Sequence, residues 1–299
     1  YEISTRDWSS DVCSSDLSDL YLQEDLGNTS LLQVLETEGY TDHVYALFKK
    51  SLEQLANLQI KGHEGWNYQN CVTNSEFGQQ AILADLLYFK YYFLDTLKIA
   101  YDKHQLMVEF EQLSSYLAEA DHRFFMFRDF QSRNIMIRND EVFFIDYQGG
   151  MRGALQYDVA SLLWQAKANL PEAWKKSLLN DYVNHANELL HGKIDRERFE
   201  NQYHGFVLIR LLQVLGAYGF RGLFERKAHF LSSIPLALQN LKWFLRHHSI
   251  GISCPLFESL LNQVISDDIL HRFNITKASE TTPLDRKSTR LNSSHEWIS

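Results

Sequence analysis

Proline and glycine are scarce in this 299-residue chain, 4 and 14 in all, which argues against a turn-rich β fold and for long helices. A basic surplus is also absent, with 29 Lys and Arg against 38 Asp and Glu for a net charge of −9. The stretch 1–17 carries −3 of this and 285–299 carries +1, leaving −7 between them. Nothing here is built to neutralise a phosphate backbone, so nucleic acid is not an expected partner. Cysteine is nearly missing. Cys13 stands in the first stretch, and Cys71 and Cys254 are isolated, with no CxxC and no Cys/His metal spacing. Two lone thiols point to a reducing, cytoplasmic setting. Long uninterrupted apolar runs are lacking too. Asp85, Lys90 and Asp95 break one apolar helix and Arg210 another, so no bilayer span and no membrane partner are expected.

An initiator Met is missing, and the two ends are related in an unusual way. Asp285–His295 and Asp7–Asp16 can be encoded by opposite strands of one DNA segment, as translated sequencing adapter would be. Residues 1–17 and 285–299 are therefore expected to be non-native tails and are set aside from fold reasoning. Between them, apolar content is that of a globular chain.

Along that segment, Leu20–Leu22 reads as a strand end entering the turn Gln23–Gly27. Thr29 or Ser30 caps a short helix to Glu38, and Thr41-Asp42 opens a longer one. An aromatic helix is expected over 77–97 and another over 103–120. The period then changes. Phe124–Phe127 and Ile135–Arg138 read as strands, and the turn Asn139-Asp140 leads into Val142–Ile145, closing a hairpin. Helix dominates from Gln156 almost to Phe273, with Pro171 in a first turn and Pro235 interrupting its helix.

The chemistry concentrates at the hairpin, in Arg128-Asp129-Phe130-Gln131-Ser132-Arg133-Asn134 and Ile145-Asp146-Tyr147-Gln148. Phosphoryl transfer to a hydroxyl needs a carboxylate to orient the nucleophile and take its proton, and oxygen ligands for Mg²⁺ on the nucleotide phosphates. An Asp, an Asn five residues on and an Asp ending the next strand supply that set.

This pattern resembles the catalytic loop and metal-binding strand of the aminoglycoside phosphotransferase and choline kinase-like family, whose fold is similar to the protein kinases. Tyr157-Asp158-Val159-Ala160-Ser161-Leu162, Leu212–Ala217 and Phe230–Pro235 extend the resemblance towards the bacterial branch acting on the anomeric hydroxyl of N-acetylmuramate and N-acetylglucosamine. The resemblance implies an α+β, protein-kinase-like fold with a mainly helical C-terminal lobe that carries a catalytic β-hairpin. It assigns 18–27 to the remnant of a nucleotide lobe and its hinge, 28–275 to the helical substrate and catalytic lobe, and 276–284 to a linker. It makes Asp129 the catalytic base, Asn134 and Asp146 the Mg²⁺ ligands, and Asp158 a structural brace for the catalytic loop. Gln23 and Asp25 become the hinge contacts to the adenine of ATP.

Two departures from the family pattern stand out. Phe127 occupies the position of the usual His two residues before the catalytic Asp, and no Gly-rich loop or strand Lys precedes the hinge. The chain as given is therefore expected to be nearly inactive, since those parts position the phosphates. The expected partner is a small polar acceptor, an amino sugar first and choline or an aminoglycoside otherwise; a pseudokinase-like binding module is the alternative from another class. Nothing in the sequence sets an oligomeric state.

Other residues carry weaker signals. Asp85 and Arg152 are candidate acceptor contacts, each weighed against a capping or solvated role. The stripe Tyr88, Phe89, Tyr91, Tyr92, Phe93 is expected to be core packing, and His247-His248 to lie at the surface. Arg210, in its apolar helix, demands a partner or a wet cleft.

Overall fold

A computed structural model describes residues 24–72 and 74–273. The first elements follow from their end signals. Helix α1 (Leu31–Glu38) starts at Ser30, whose hydroxyl accepts the Gln33 amide while the Gln33 side chain accepts the Ser30 amide, a reciprocal capping box. Gly39, at φ 73°, ends it. Helix α2 (Asp42–Lys61) is capped by Thr41 and repeats apolar residues at helical spacing, so that Val44, Leu47, Phe48, Leu52, Leu55 and Ala56 form one buried face. Helix α3 (Gln79–Tyr92) stops short of the expected length, and a separate 3-10 turn covers Leu94–Leu97. Helix α4 (Lys103–Ala118) begins at Asp102, whose carboxylate accepts the amides of His104 and Gln105.

The strands among the described residues are short and form two sheets. β1 (Phe124–Met126) is followed by the hairpin of β2 (Ile135–Arg138) and β3 (Glu141–Phe144), with Ile135 opposite Phe144 and Arg138 opposite Glu141. Asn139 and Asp140 turn at φ 53° and 58°, the double left-handed turn whose twist suits a two-residue hairpin. β4 (Met151–Gly153) was not evident from the sequence; it pairs antiparallel with β1, Phe125 facing Arg152.

Helix α5 (Leu155–Leu163) is buried at every position. Helix α6 (Glu172–Leu189), preceded by Pro171, lies on α2. Helix α7 (Arg196–Tyr218) is the central element, packed on α3, α5 and later α9 (Ile234–His247). A π-helical turn, Gly219–Phe224, continues it. Two glycines let α3 and α7 close up: a Cβ on Gly216 would meet the Tyr88 ring at 2.7 Å, and one on Gly219 the Tyr92 carbonyl at 2.1 Å. The short α8 (Ala228–Leu231) ends before α9, so Pro235 sits in the first turn of a helix instead of interrupting one. α10 (Pro255–Val264) and α11 (Asp267–Arg272) close the described chain.

Three side-chain expectations need revision or sharpening. The run 196–224 is, contrary to the sequence reading, long and apolar enough to span a bilayer, at mean hydropathy 1.4, but 61% of its most apolar window is buried in the fold. Of the aromatic stripe, Phe89 and Phe93 are core, whereas Tyr91 is exposed and Tyr92 packs against Phe220. His247 is exposed, but His248 is not: it stacks on His204 at 4.4 Å and meets Trp164 edge-on.

Candidate active site

The segment after β1 cannot continue the strand, because Arg128 turns at φ 78°. What holds that turn is Asp158, fully buried on α5. Its carboxylate accepts the backbone amides of Phe127 (2.7 Å) and Arg128 (2.9 Å) and the side-chain amide of Gln59 (3.1 Å). Burial pushes its proton affinity up to a pKa of about 6, against the pull of those donors. Phe127, where a His is usual in the resembled pattern, is buried and meets Phe130 and Phe144 edge-on. Its side chain fills the core; its amide serves the brace.

Arg128 is clamped sideways. Both guanidinium nitrogens donate to Asp85 on α3, at 2.9 and 2.8 Å, and the guanidinium lies over the rings of Phe77 (4.4 Å) and Tyr157 (5.0 Å). Asp85, a candidate acceptor contact, is thus buried and occupied by an arginine, neither exposed nor a cap.

Asp129 follows, half-buried. Its Oδ1 accepts from Arg210 at 3.0 Å and from the Gln131 amide. Its Oδ2 accepts from the exposed Arg133 at 3.2 Å and from Asn134 at 3.4 Å. Burial alone would raise the carboxyl, but the guanidinium groups of Arg210 and Arg133 outweigh it and hold Asp129 below the ordinary carboxylate range. The group is therefore anionic and aimed.

The loop then closes on itself. The Ser132 amide and hydroxyl both donate to Gln165, the Asn134 amide donates to the Gln131 carbonyl, and Asn134 Nδ2 donates to the Asp129 carbonyl at 3.0 Å. With Nδ2 so committed, the Asn134 side-chain oxygen faces the other way. The Ile145 amide donates to the Asn134 carbonyl at 3.1 Å, bringing the exit of β3 beside the loop. Asp146 comes next, exposed and at φ 65°. Farther on, Gly149 lies against the Arg128 side chain, and a Cβ on Gly150 would enter the Phe125 ring at 2.7 Å. The chain on either side of Asp146 therefore touches the Asp129 loop, at Asn134 through Ile145 and at Arg128 through Gly149.

An Asn oxygen and a carboxylate are hard donors that suit Mg²⁺, which takes one or two protein carboxylates and completes its shell with phosphate and water oxygens. Among the described residues no three His, Cys, Asp or Glu side chains converge.

The remaining candidates lie apart. Arg152 is on β4, half-exposed, paired with Glu76, and its carbonyl accepts the Phe77 amide. No described contact joins it to Asp129. Asp25 is exposed in a segment held along β2, where Arg138 donates to Glu24 and to the Asp25 carbonyl and the Ile137 amide donates to the Thr29 carbonyl. Gln23 and residues 1–17, 276–284 and 285–299 lie outside the described residues. No partner of Arg210 is legible in the sequence, and nothing there singles out Gln131, Arg133 or Gln59. A charge inside an apolar helix was the available signal for Arg210, but it could not name Asp129.

Residues 11–194 match the model of the phosphotransferase enzyme family. An N-acetylmuramate/N-acetylglucosamine kinase of Neisseria meningitidis serogroup B (strain ATCC BAA-335 / MC58) is 25% identical over 253 residues, which cover 82% of this chain and 72% of that protein.

Proposed function

Because the chain belongs to the phosphotransferase enzyme family, we propose that it is the catalytic part of a small-molecule kinase moving the γ-phosphoryl group of ATP to a hydroxyl of an N-acetylated amino sugar. One observation supports the reading: the Asn134 side chain bonds the Asp129 carbonyl, and the Ile145 amide, one residue before Asp146, bonds the Asn134 carbonyl. The acceptor class rests on the amino-sugar kinase that resembles most of the chain.

In this proposal Asp129 orients the acceptor hydroxyl and takes its proton. Asn134 and Asp146 would hold Mg²⁺, which supplies neutralisation of the phosphate charge when bound. Asp158 does no chemistry; it sets the backbone on which Asp129 stands. Gln23 and Asp25 would meet the adenine through their backbone. Arg152, half-exposed beside Glu76, remains available to an acceptor substituent, whereas Asp85 acts through Arg128. Residues 18–27 are proposed as the joint to the nucleotide-binding part.

ADP release on a panel of N-acetylmuramate, N-acetylglucosamine, choline and an aminoglycoside tests the reading. Release with the amino sugars is expected. Release with choline alone would reassign the acceptor, and binding of ATP without turnover on any acceptor would favour a pseudokinase.

A further inference from the structure

Arg210 is a costly residue where it stands. It lies in the middle of α7, its side chain 8% exposed, among Phe206, Val207, Leu208, Ile209, Leu211 and Leu212, all buried. A guanidinium there loses its water and must be compensated. Its anionic partner is Asp129, 81 residues earlier in the chain, at 3.0 Å, and its second nitrogen is taken by Gln213, one turn along the same helix. The Tyr157 ring lies 6.0 Å from the Arg210 guanidinium and 5.0 Å from that of Arg128. The helix that carries Arg210 is itself fixed, since Gly216 and Gly219 bring α7 into backbone contact with α3. Arg210 therefore presents a fixed donor to one oxygen of a loop carboxylate.

The two oxygens of Asp129 are not equivalent. Oδ1 is enclosed by Arg210 and Gln131. Oδ2 meets the exposed Arg133 at 3.2 Å and has a longer contact from Asn134 at 3.4 Å. We propose that Arg210 is a positioning residue for phosphoryl transfer: it anchors Oδ1 so that Oδ2 is the oxygen that faces the acceptor hydroxyl. This rests on the kinase reading. As the hydroxyl oxygen bonds to the γ-phosphorus and the bridging oxygen departs with ADP, the hydroxyl proton passes to Oδ2, while Oδ1 keeps its bond to Arg210. Arg210 touches neither substrate; it acts through Asp129, and a carboxylate free to rotate would lose the alignment on which the step depends.

The test combines stability and kinetics. In the chain as it stands, urea unfolding of Arg210→Met, Asp129→Asn and the double variant should show coupling, the double midpoint shift departing from the sum of the single shifts. Additive shifts would overturn the pairing whether or not the chain turns over. In kinetics, Arg210→Met should lower kcat by about 10- to 100-fold and leave both KM values within about 3-fold, as expected for a contact that matters in the transition state. Arg210→Lys should restore part of the lost kcat. In the Asp129→Asn background, Arg210→Met should change the residual rate by less than about 2-fold, because two residues acting as one unit are not additive. An equal loss of kcat in both backgrounds, or a rise in acceptor KM at unchanged kcat, would overturn the proposal. Wild-type enzyme without turnover on any acceptor would instead refute the kinase reading, leaving the unfolding coupling to judge the pairing.

Discussion

Replacing Asp158 with Asn should damage the protein in a way that can be worked out from three hydrogen bonds. The carboxylate accepts the Phe127 amide at 2.7 Å, the Arg128 amide at 2.9 Å and the Gln59 side chain at 3.1 Å. Asn has one acceptor oxygen, so its NH₂ group must face a donor. One backbone N–H loses its partner, at a cost of about 1–3 kcal/mol for a buried group, and the surviving bonds lose their charge assistance, about 1 kcal/mol more. Against this, burial has pushed the Asp158 carboxyl up to about 6, and a neutral amide escapes that desolvation, offsetting about 1–2 kcal/mol. The net loss is about 2 kcal/mol, or close to 1 M in urea midpoint at an m value of about 2–3 kcal/mol/M. Because the bonded amides belong to the residues just before Asp129, kcat should fall by about 10- to 100-fold with the loop displaced. Urea unfolding and initial-rate kinetics read both quantities. A variant with the wild-type midpoint and wild-type kcat would refute the claim that Asp158 holds the catalytic loop.

Two further consequences concern stability alone. Gly219→Ala places a Cβ 2.1 Å from the Tyr92 carbonyl, a backbone atom that cannot rotate away, so thermal unfolding should show a loss of about 1–3 kcal/mol or more from overpacking. His204, half-buried beside His248, has its pKa lowered to about 4, first by burial and then by the neighbouring imidazole. The folded state therefore holds this imidazole neutral where the unfolded chain would protonate it. The contribution is present above pH 6.5 and is lost as pH falls from 6.5 towards 4, by about 1–2 kcal/mol after allowance for partial exposure. His204→Phe should flatten that part of the stability profile; an unchanged acid slope would assign it to other groups.

What could be read from the sequence was what is encoded locally. Ser30 with Gln33, Thr41 and Asp102 announce helix starts through bonds to residues two or three positions away. The double left-handed turn at Asn139-Asp140 sets the hairpin register. The spacing of Asp129, Asn134 and Asp146 places them on one loop and one strand end for the same reason. What could not be read was non-local. β4 has three residues and exists because β1 offers it an edge. The Arg128–Asp85 pair spans 43 positions and the Arg210–Asp129 pair 81, and no periodicity connects such partners. The length of the apolar run over α7 was hidden by Arg210 itself, which looked like an interruption and is instead the one charge that the buried helix delivers to the site.

Turnover by the Asp129→Asn variant, with ATP, Mg²⁺ and an N-acetylated amino sugar, tests the assignment of the base most directly. A fall in kcat of about 100- to 10,000-fold with the KM for ATP nearly unchanged is expected of a lost general base. A kcat within about 10-fold of wild type would contradict it, for in that case the carboxylate held by Arg210 is not what receives the proton.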